Sequence, residues 1–500
     1  MLRNKKNLTK KKQLILIADR GRADVAARLS FLGRKISNKK KNNSILVIHE
    51  NKKKEEIIDI FKLFKIYDSI SLRIKIKEIH ILLVSIYYTI FSIIKIATLG
   101  FDWFVKSYSL KGVRLGDLIY DKYIRKNFSF LNPRFLNIRF LTLLFSGIYK
   151  FLILEDLFKK NVIKCSLIGS TTYISVSSIL LRISQKKRVP VIYVSGESFK
   201  IIKNNQDQGD IISKYLIDKI KLQNKKNILK KSENYFKKRT KGKLITKKYN
   251  SKFFFQHDEQ TWKNNREESF VFFNKINKFK KKYSHTILYA PHNFAESNHR
   301  CGDLIFRDFY QQTIETLKFA KKNKHILWLF KIHPYSEIKY GELEIAKKLF
   351  NQFKSENILL VPFKISNEKL FKSVDLVVST RGSICLEAAT FGVRNLINSD
   401  IYYDTFNISK RVKNKKQYFN ALLNIRSIKK IDKSTIAWAK KILYFRKILQ
   451  IENPFNLTRR RKIIDRKTFY IELKKNLKKI YTNINTNIKN KTYDEIVNNL

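Results

Sequence analysis

The stretch Val374 to Asp400, VDLVVSTRGSICLEAATFGVRNLINSD, constrains the fold most. Val374 to Val378 is a short apolar run, the pattern of a strand buried on both faces. Ser379-Thr380-Arg381-Gly382-Ser383 then sets hydroxyls, a guanidinium and a glycine where a helix begins, and that helix, Ile384 to Phe391, stops at Gly392. A helix start after a parallel strand offers free N–H groups and a positive dipole end to a phosphate. Leu327 to Lys331 runs in the same way into Ile332-His333-Pro334. Open α/β sheets bind ligands outside the carboxyl ends of their strands. The two ends, Lys331-x-His333-Pro334 and Ser379 to Ser383, therefore suggest a site for a nucleotide mono- or diphosphate sugar. For Ser379 to Ser383 the plainer alternative is helix capping. For His333 it is a loop residue fixed by Pro334.

The same alternation recurs along the chain. Gln13 to Ala18 reads as a strand, Ala23 to Leu32 as a helix ended by Gly33, Ser44 to Ile48 as a strand and Lys52 to Phe64 as a helix. Val162 to Ile168, Thr171 to Gln185 and Val189 to Val194 form a second β-α-β unit, with Tyr173 and Arg182 on its helix. Thr286 to Ala290, a helix over Asp303 to Ala320, and the strands near 325–331 and 358–361 open another sheet. The expected fold class is α/β, with two Rossmann-like domains facing a cleft and helices at the C-terminus. The expected divisions are 1–199, a basic connector 200–282, 283–410, and C-terminal helices 411–500, including ones near Ala437 to Leu449 and Phe469 to Ile480.

Net charge is +63. It raises nucleic-acid or anionic-membrane binding, but Lys, Asn and Ile are abundant throughout, and no regular basic stripe carries aromatic platforms. Nucleic acid is disfavoured as a partner. Attraction to an anionic inner membrane remains. The most apolar stretch, Ile79 to Ile94, is about 16 residues against the roughly 20 of a bilayer span, so it reads as a buried or membrane-skimming helix. The three cysteines have no paired spacing, which argues against a disulfide framework or zinc site and suits a reducing cytoplasm. The basic N-terminus leads into an apolar core too short for a signal peptide and interrupted by Asp19.

Carboxylates for acid–base work are few. Asp117 and Asp121 lie in Gly112 to Arg125, GVRLGDLIYDKYIR, where Arg125 is a candidate to line a polar cleft. From composition alone, a loop, a helix cap and ordinary surface ion pairs are the favoured explanation of that run. Glu197 follows the strand ending at Val194 and is a candidate base or a solvated loop carboxylate. His292 and His299 are candidates to shape the cleft.

Four pieces in order carry a family resemblance: Gly112 to Arg125, Thr172 to Arg182 with the following strand, His292 to Leu317 (HNFAESNHRCGDLIFRDFYQQTIETL), and Lys331-x-His333-Pro334 with Ser379 to Gly392. Together they resemble bacterial capsule and surface-polysaccharide biosynthesis proteins. The resemblance implies a GT-B fold and transfer of a sugar from a nucleotide-activated donor, CMP-linked in some relatives, to a glycan or lipid-linked acceptor. The His-Pro and Ser/Thr pair looks like the donor site of sialyl- and Kdo-transferases. Carried over, His333, Ser379, Thr380 and Ser383 hold the nucleotide phosphates and Glu387 lies near the ribose. The paired-acid-glycine motif that many sialyltransferases use for the base is missing, so the base stays open among Glu197, Asp117 and Asp121.

The resulting expectation is an inverting, metal-independent transfer with no cofactor. A carboxylate deprotonates the acceptor hydroxyl, and His333, Arg381 or Lys331 and helix N–H groups steady the leaving phosphate. Glycerol- or ribitol-phosphate transfer from a CDP-alcohol would use the same cradle. A non-catalytic basic protein that binds nucleic acid or membrane is the competing class.

Overall fold

The computed structural model describes residues 12–447, apart from 203–228, 235–265 and short segments that include 51–54, 195–198, 300–301, 334–335 and 337–340. Glu197 and Pro334 therefore lie outside the described residues, as does the helix expected near 469–480.

Two six-stranded sheets organise the chain. The first is built from β1 (Gln13–Asp19), β2 (Ser44–His49), β3 (Ser69–Ser71), β6 (Val162–Ile168), β7 (Val191–Val194) and β8 (Phe199–Ile202), in the order β3-β2-β1-β6-β7-β8. All neighbours are parallel except β8, which runs antiparallel to β7. The second is parallel throughout, ordered β11-β10-β9-β12-β13-β14. Its strands are β9 (His285–Tyr289), β10 (Ile326–Phe330), β11 (Ile358–Leu360), β12 (Leu376–Val378), β13 (Arg394–Ile397) and β14 (Lys410–Arg411). This is the doubly wound plan expected from the sequence, used twice. The reason is visible in the strands: every residue of β10 is buried, as an apolar run covered on both faces requires.

Helices cover both sheets. In the first half they are α1 (Ala23–Lys39), α2 (Glu55–Leu63), α3 (Ile79–Ser107), α4 (Gly116–Ile124), α5 (Ile138–Lys160) and α6 (Val176–Lys186). The hairpin β4 (Ser109–Leu110) and β5 (Val113–Arg114) sits between α3 and α4. The second half has α7 (Arg266–Lys280), α8 (Phe309–Lys322), α9 (Leu343–Gln352), α10 (Asn367–Lys372) and α11 (Ser383–Ala389), followed by α12 (Lys415–Leu423) and α13 (Lys433–Lys447). α13 packs Ala439 and Ile442 into the second domain's core rather than reaching across both domains.

Two boundaries depart from the sequence reading. α6 begins at Val176, so Tyr173 precedes the helix in a left-handed turn (φ 59°), and Ser175 caps it through a reciprocal bond with Ser178. The apolar helix runs for 29 residues, well past Ile94, and turns at Gly100.

α4 joins the domains. It approaches α3 closely because residue 116 is glycine; a Cβ there would lie 1.9 Å from the Phe104 carbonyl oxygen. One turn on, the Tyr120 hydroxyl donates to Asp308 Oδ2 at 2.5 Å. The Asp121 carboxylate accepts the His299 backbone N–H at 2.9 Å and pairs with His299 Nδ1 at 2.8 Å. Apolar packing continues the joint, with Phe130 against Phe294 (5.5 Å) and Tyr310 (5.1 Å). Asp121→Ala strands a buried N–H and a ring nitrogen, a cost of roughly 2–5 kcal/mol. The expected result is a lower unfolding midpoint and earlier proteolytic cleavage in the 291–308 loop, read by calorimetry and limited trypsin digestion.

Candidate functional site

The strand order of the second sheet reverses between β9 and β12, which is where doubly wound sheets open a crevice. Register sets the groups. Tyr289 pairs with both Phe330 and Val378, so Ala290, Lys331 and Ser379 emerge level at one edge. His292 follows β9, His333 follows β10 and Arg381 follows β12, and their side chains form one column. The His333 ring stacks on His292 at 5.2 Å, His292 lies 5.0 Å from Phe309, and the Arg381 guanidinium lies 5.1 Å from the same Phe309 ring. Phe309 begins α8, and Asp308 caps that helix through the Gln311 N–H at 2.7 Å.

Arg381 is nine-tenths buried. Its Nη2 donates to the Ser297 carbonyl, and its Nη1 is buried with no partner. Five further orphaned atoms belong to this edge: Asn293 Nδ2, Gln312 Nε2, both amide atoms of Asn398, and Ser399 Oγ. Asn398 and Ser399 follow β13, and the Asn398 N–H reaches the Thr380 carbonyl at 3.4 Å. Orphaned buried polar atoms are costly and rare. Six of the eleven found among the described residues belong to residues that follow these strand ends or pack on them.

Lys331 is half-buried behind this column. Burial pushes its ammonium down to about 8, with the Glu387 carboxylate pulling the other way. Glu387 itself is buried, accepts from Asn367 Nδ2 at 3.2 Å and lies 3.4 Å from Ser383 Oγ. Its carboxylate is engaged within the domain, which opposes the ribose role carried over for it. The hydroxyls of Ser379 and Thr380 are engaged too. Ser379 donates to the Ala290 carbonyl at 2.9 Å and Thr380 to Gln312 Oε1 at 2.7 Å, both buried. They lock the turn rather than offer hydroxyls to a phosphate. Gly382 permits that turn, since a Cβ would lie 2.8 Å from Ser379 Oγ.

No family model matches the sequence, and no curated protein does. Solved structures give remote similarities. A UDP-GlcNAc 2-epimerase from Neisseria meningitidis, bound to UDP-GlcNAc, aligns over 86% of this chain and 98% of its own at 14% identity, with a TM-score of 0.27. The KpsC β-Kdo 2,4-transferase of Thermosulfurimonas dismutans covers 57% and 85% at 10% identity and 0.30. The glycotransferase of kitacinnamycin covers 95% and 99% at 8% identity and 0.21. At such scores the reading of the fold rests on the two sheets themselves.

The first-domain acids are placed differently from their expected role. Asp117 is fully buried and held by Arg182 at 2.5 and 2.7 Å and Arg114 at 2.9 and 3.1 Å. Burial works to raise its carboxyl, but the Arg182 and Arg114 guanidiniums hold it well below the ordinary range. It is a clamp between α6 and the start of α4, too weak a base for the acceptor proton. Asp121 is the domain joint. Arg125 is exposed at the end of α4, its guanidinium 4.6 Å from the Tyr173 ring.

Two features escaped the sequence reading. Asp19, ending β1, holds His49 Nδ1 at 2.8 Å, a buried pair at the strand ends of the first sheet. Only the strand-final position of both residues signals it. Glu342, buried ahead of α9, accepts the backbone N–H groups of Phe294 and Ala295 at 2.7 Å each and so fixes the His292 loop. No local motif marks it, because its partners lie 47 and 48 residues away.

A basin of about 1150 Å³ opens elsewhere, lined by Arg394, Lys410, Lys413, Arg426 and Lys430 together with His285. It sits at the strand starts of the second sheet, and two of its lining residues, His285 and Arg411, also carry an unpartnered buried nitrogen.

Burial pushes the Glu342 carboxyl up to about 7 from 4.5, against the two N–H groups. A folded pKa above the unfolded one gives stability that is complete below about 4.5 and lost as pH rises through about 7. The unfolding midpoint of the wild type should fall relative to that of Glu342→Gln across this window. Parallel profiles for the two proteins would contradict the assignment.

Proposed function

We propose that this chain is a glycosyltransferase of surface-polysaccharide assembly, moving a sugar from a nucleotide-activated donor to a glycan or lipid-linked acceptor. The observation that carries the reading is the column His333–His292–Phe309–Arg381 at the switch point, with the unpartnered Arg381 Nη1 and the orphaned amides beside it. Such an edge suits a phosphate with a polar nucleoside attached. Arg381 supplies a permanent charge in a dry setting, where it acts most strongly on an anion. Lys331 adds a second charge that is present below about pH 8.

In the reaction, the acceptor oxygen forms a bond to the anomeric carbon while the bond from that carbon to the phosphate oxygen breaks. The electron pair stays on the phosphate, where Arg381, His333 and Lys331 stabilise it without a metal ion. The acceptor proton passes to a base on the facing strand ends of the first domain. Glu197 follows β7 in the sequence there, and His49, oriented through Nδ1 by Asp19, is the described alternative. Inversion follows from a single displacement.

A thermal-shift screen with CMP, CDP, UDP and GDP at moderate salt tests the donor site. One nucleotide should raise the midpoint by a few degrees. Arg381→Ala and His333→Ala should each abolish that shift and cut transfer by about 10²-fold or more. Retained transfer in both variants overturns the site, and turnover of CDP-glycerol in place of nucleotide sugars overturns the choice of donor. Glu197→Gln and His49→Ala leave the shift intact, and the variant that loses transfer names the base.

A further inference from the structure

α3 carries its polarity inside out. Ser85, Thr89 and Ser92, on one face, are buried against the protein, and their hydroxyls donate to the carbonyls of Ile81, Ser85 and Tyr88 at 2.6–2.7 Å. Leu83, Ile86, Tyr87, Ile90, Phe91 and Ile94 face outward, and four of them are 54–64% exposed. A helix on a water-soluble domain shows the reverse. Small hydroxyl residues packed inward with large apolar ones outward is the arrangement of a helix whose outer solvent is lipid.

The helix is long and apolar enough to cross a bilayer, yet its inner face is occupied. Phe101 and Phe104 pack on Phe140 of α5 at 5.2 and 5.4 Å, and Glu78 at the other end accepts from Tyr149 at 2.7 Å. One face on protein and one outward fits a helix lying in a membrane surface. Charge names the surface. No carboxylate occurs between Glu78 and Asp102, while Arg73, Lys75 and Lys77 precede the helix and Lys95 and Lys106 lie within it. Lys95 reaches over the Phe91 ring at 4.7 Å. A second exposed apolar group, Leu131, Leu136 and Ile138, leads into α5 beside the far end of α3. It sits in another stretch without a carboxylate, from Lys122 to Leu154, which holds Arg125, Lys126, Arg134 and Arg139.

We propose that α3 and the 131–138 segment together form a monotopic docking face that seats the first domain in the headgroup layer of an anionic bilayer. The face is separate from the donor edge, so the two readings fail independently.

The test is sedimentation of the full chain with vesicles of phosphatidylcholine alone, or with about one-third phosphatidylglycerol. Binding should be at least about tenfold tighter with the anionic lipid and should weaken as salt rises. Tyr87→Glu/Ile90→Glu and, separately, Leu136→Glu/Ile138→Glu should each reduce it by about tenfold or more. Circular dichroism and any nucleotide-induced thermal shift should be unchanged, because the sites are exposed. Having two independent pairs keeps the test valid if one fails to fold. Four outcomes overturn the proposal: equal binding to neutral vesicles, wild-type binding by both folded variants, retention in membranes through carbonate extraction, or no vesicle binding with a lipid-free dimer that Tyr87→Glu/Ile90→Glu disperses.

Discussion

The contact between Asp121 and His299 decides where the loop after β9 lies. The carboxylate takes both the His299 backbone N–H and its ring nitrogen inside a buried joint, and the neighbouring Tyr120 hydroxyl holds Asp308. Asp308 caps α8 and so sets Phe309, which is the spacer between His292 and Arg381. Glu342 grips the same loop from the other side. The column of side chains at the second sheet's edge is thus fixed by groups outside the column itself. A supporting shell of this kind is what the proposed donor site would need. Because one clamp comes from the first domain, the site's geometry is coupled to the relation between domains.

Much of the fold was legible because parallel strands covered on both faces are continuous apolar runs. Leu327 to Phe330 and Val374 to Val378 could hardly be anything else. Which residues face the crevice was legible only in part. His292, His333 and Arg381 follow directly from strand ends, so position in sequence places them. Ser379 and Thr380 occupy equally suggestive positions, yet their hydroxyls find Ala290 and Gln312, 89 and 68 residues away. Asp117 looks like a free acid until Arg182 arrives from 65 residues on. Local pattern reports where a side chain starts, and long-range partners decide whether it remains available. The apolar helix was underestimated for a related reason: Lys95 looks like a boundary but sets its ammonium over the Phe91 ring, and the helix continues.

Electrostatics separates the two proposed surfaces. The donor edge concentrates a few cations in a buried setting, where burial already pushes Lys331 down to about 8 and each charge carries a desolvation cost. The outer face uses cations at the surface, screened by salt and effective only in number. An excess of positive charge as large as +63 would suit the second proposal and bear little on the first.

Hydrogen–deuterium exchange with saturating nucleotide is the most direct test of the central claim, because it locates the ligand without relying on turnover. Protection concentrated in residues 290–297, 331–333 and 379–383 is the result the account predicts. Protection centred on the basic basin around Arg394 and Arg426, with those segments unchanged, would contradict it.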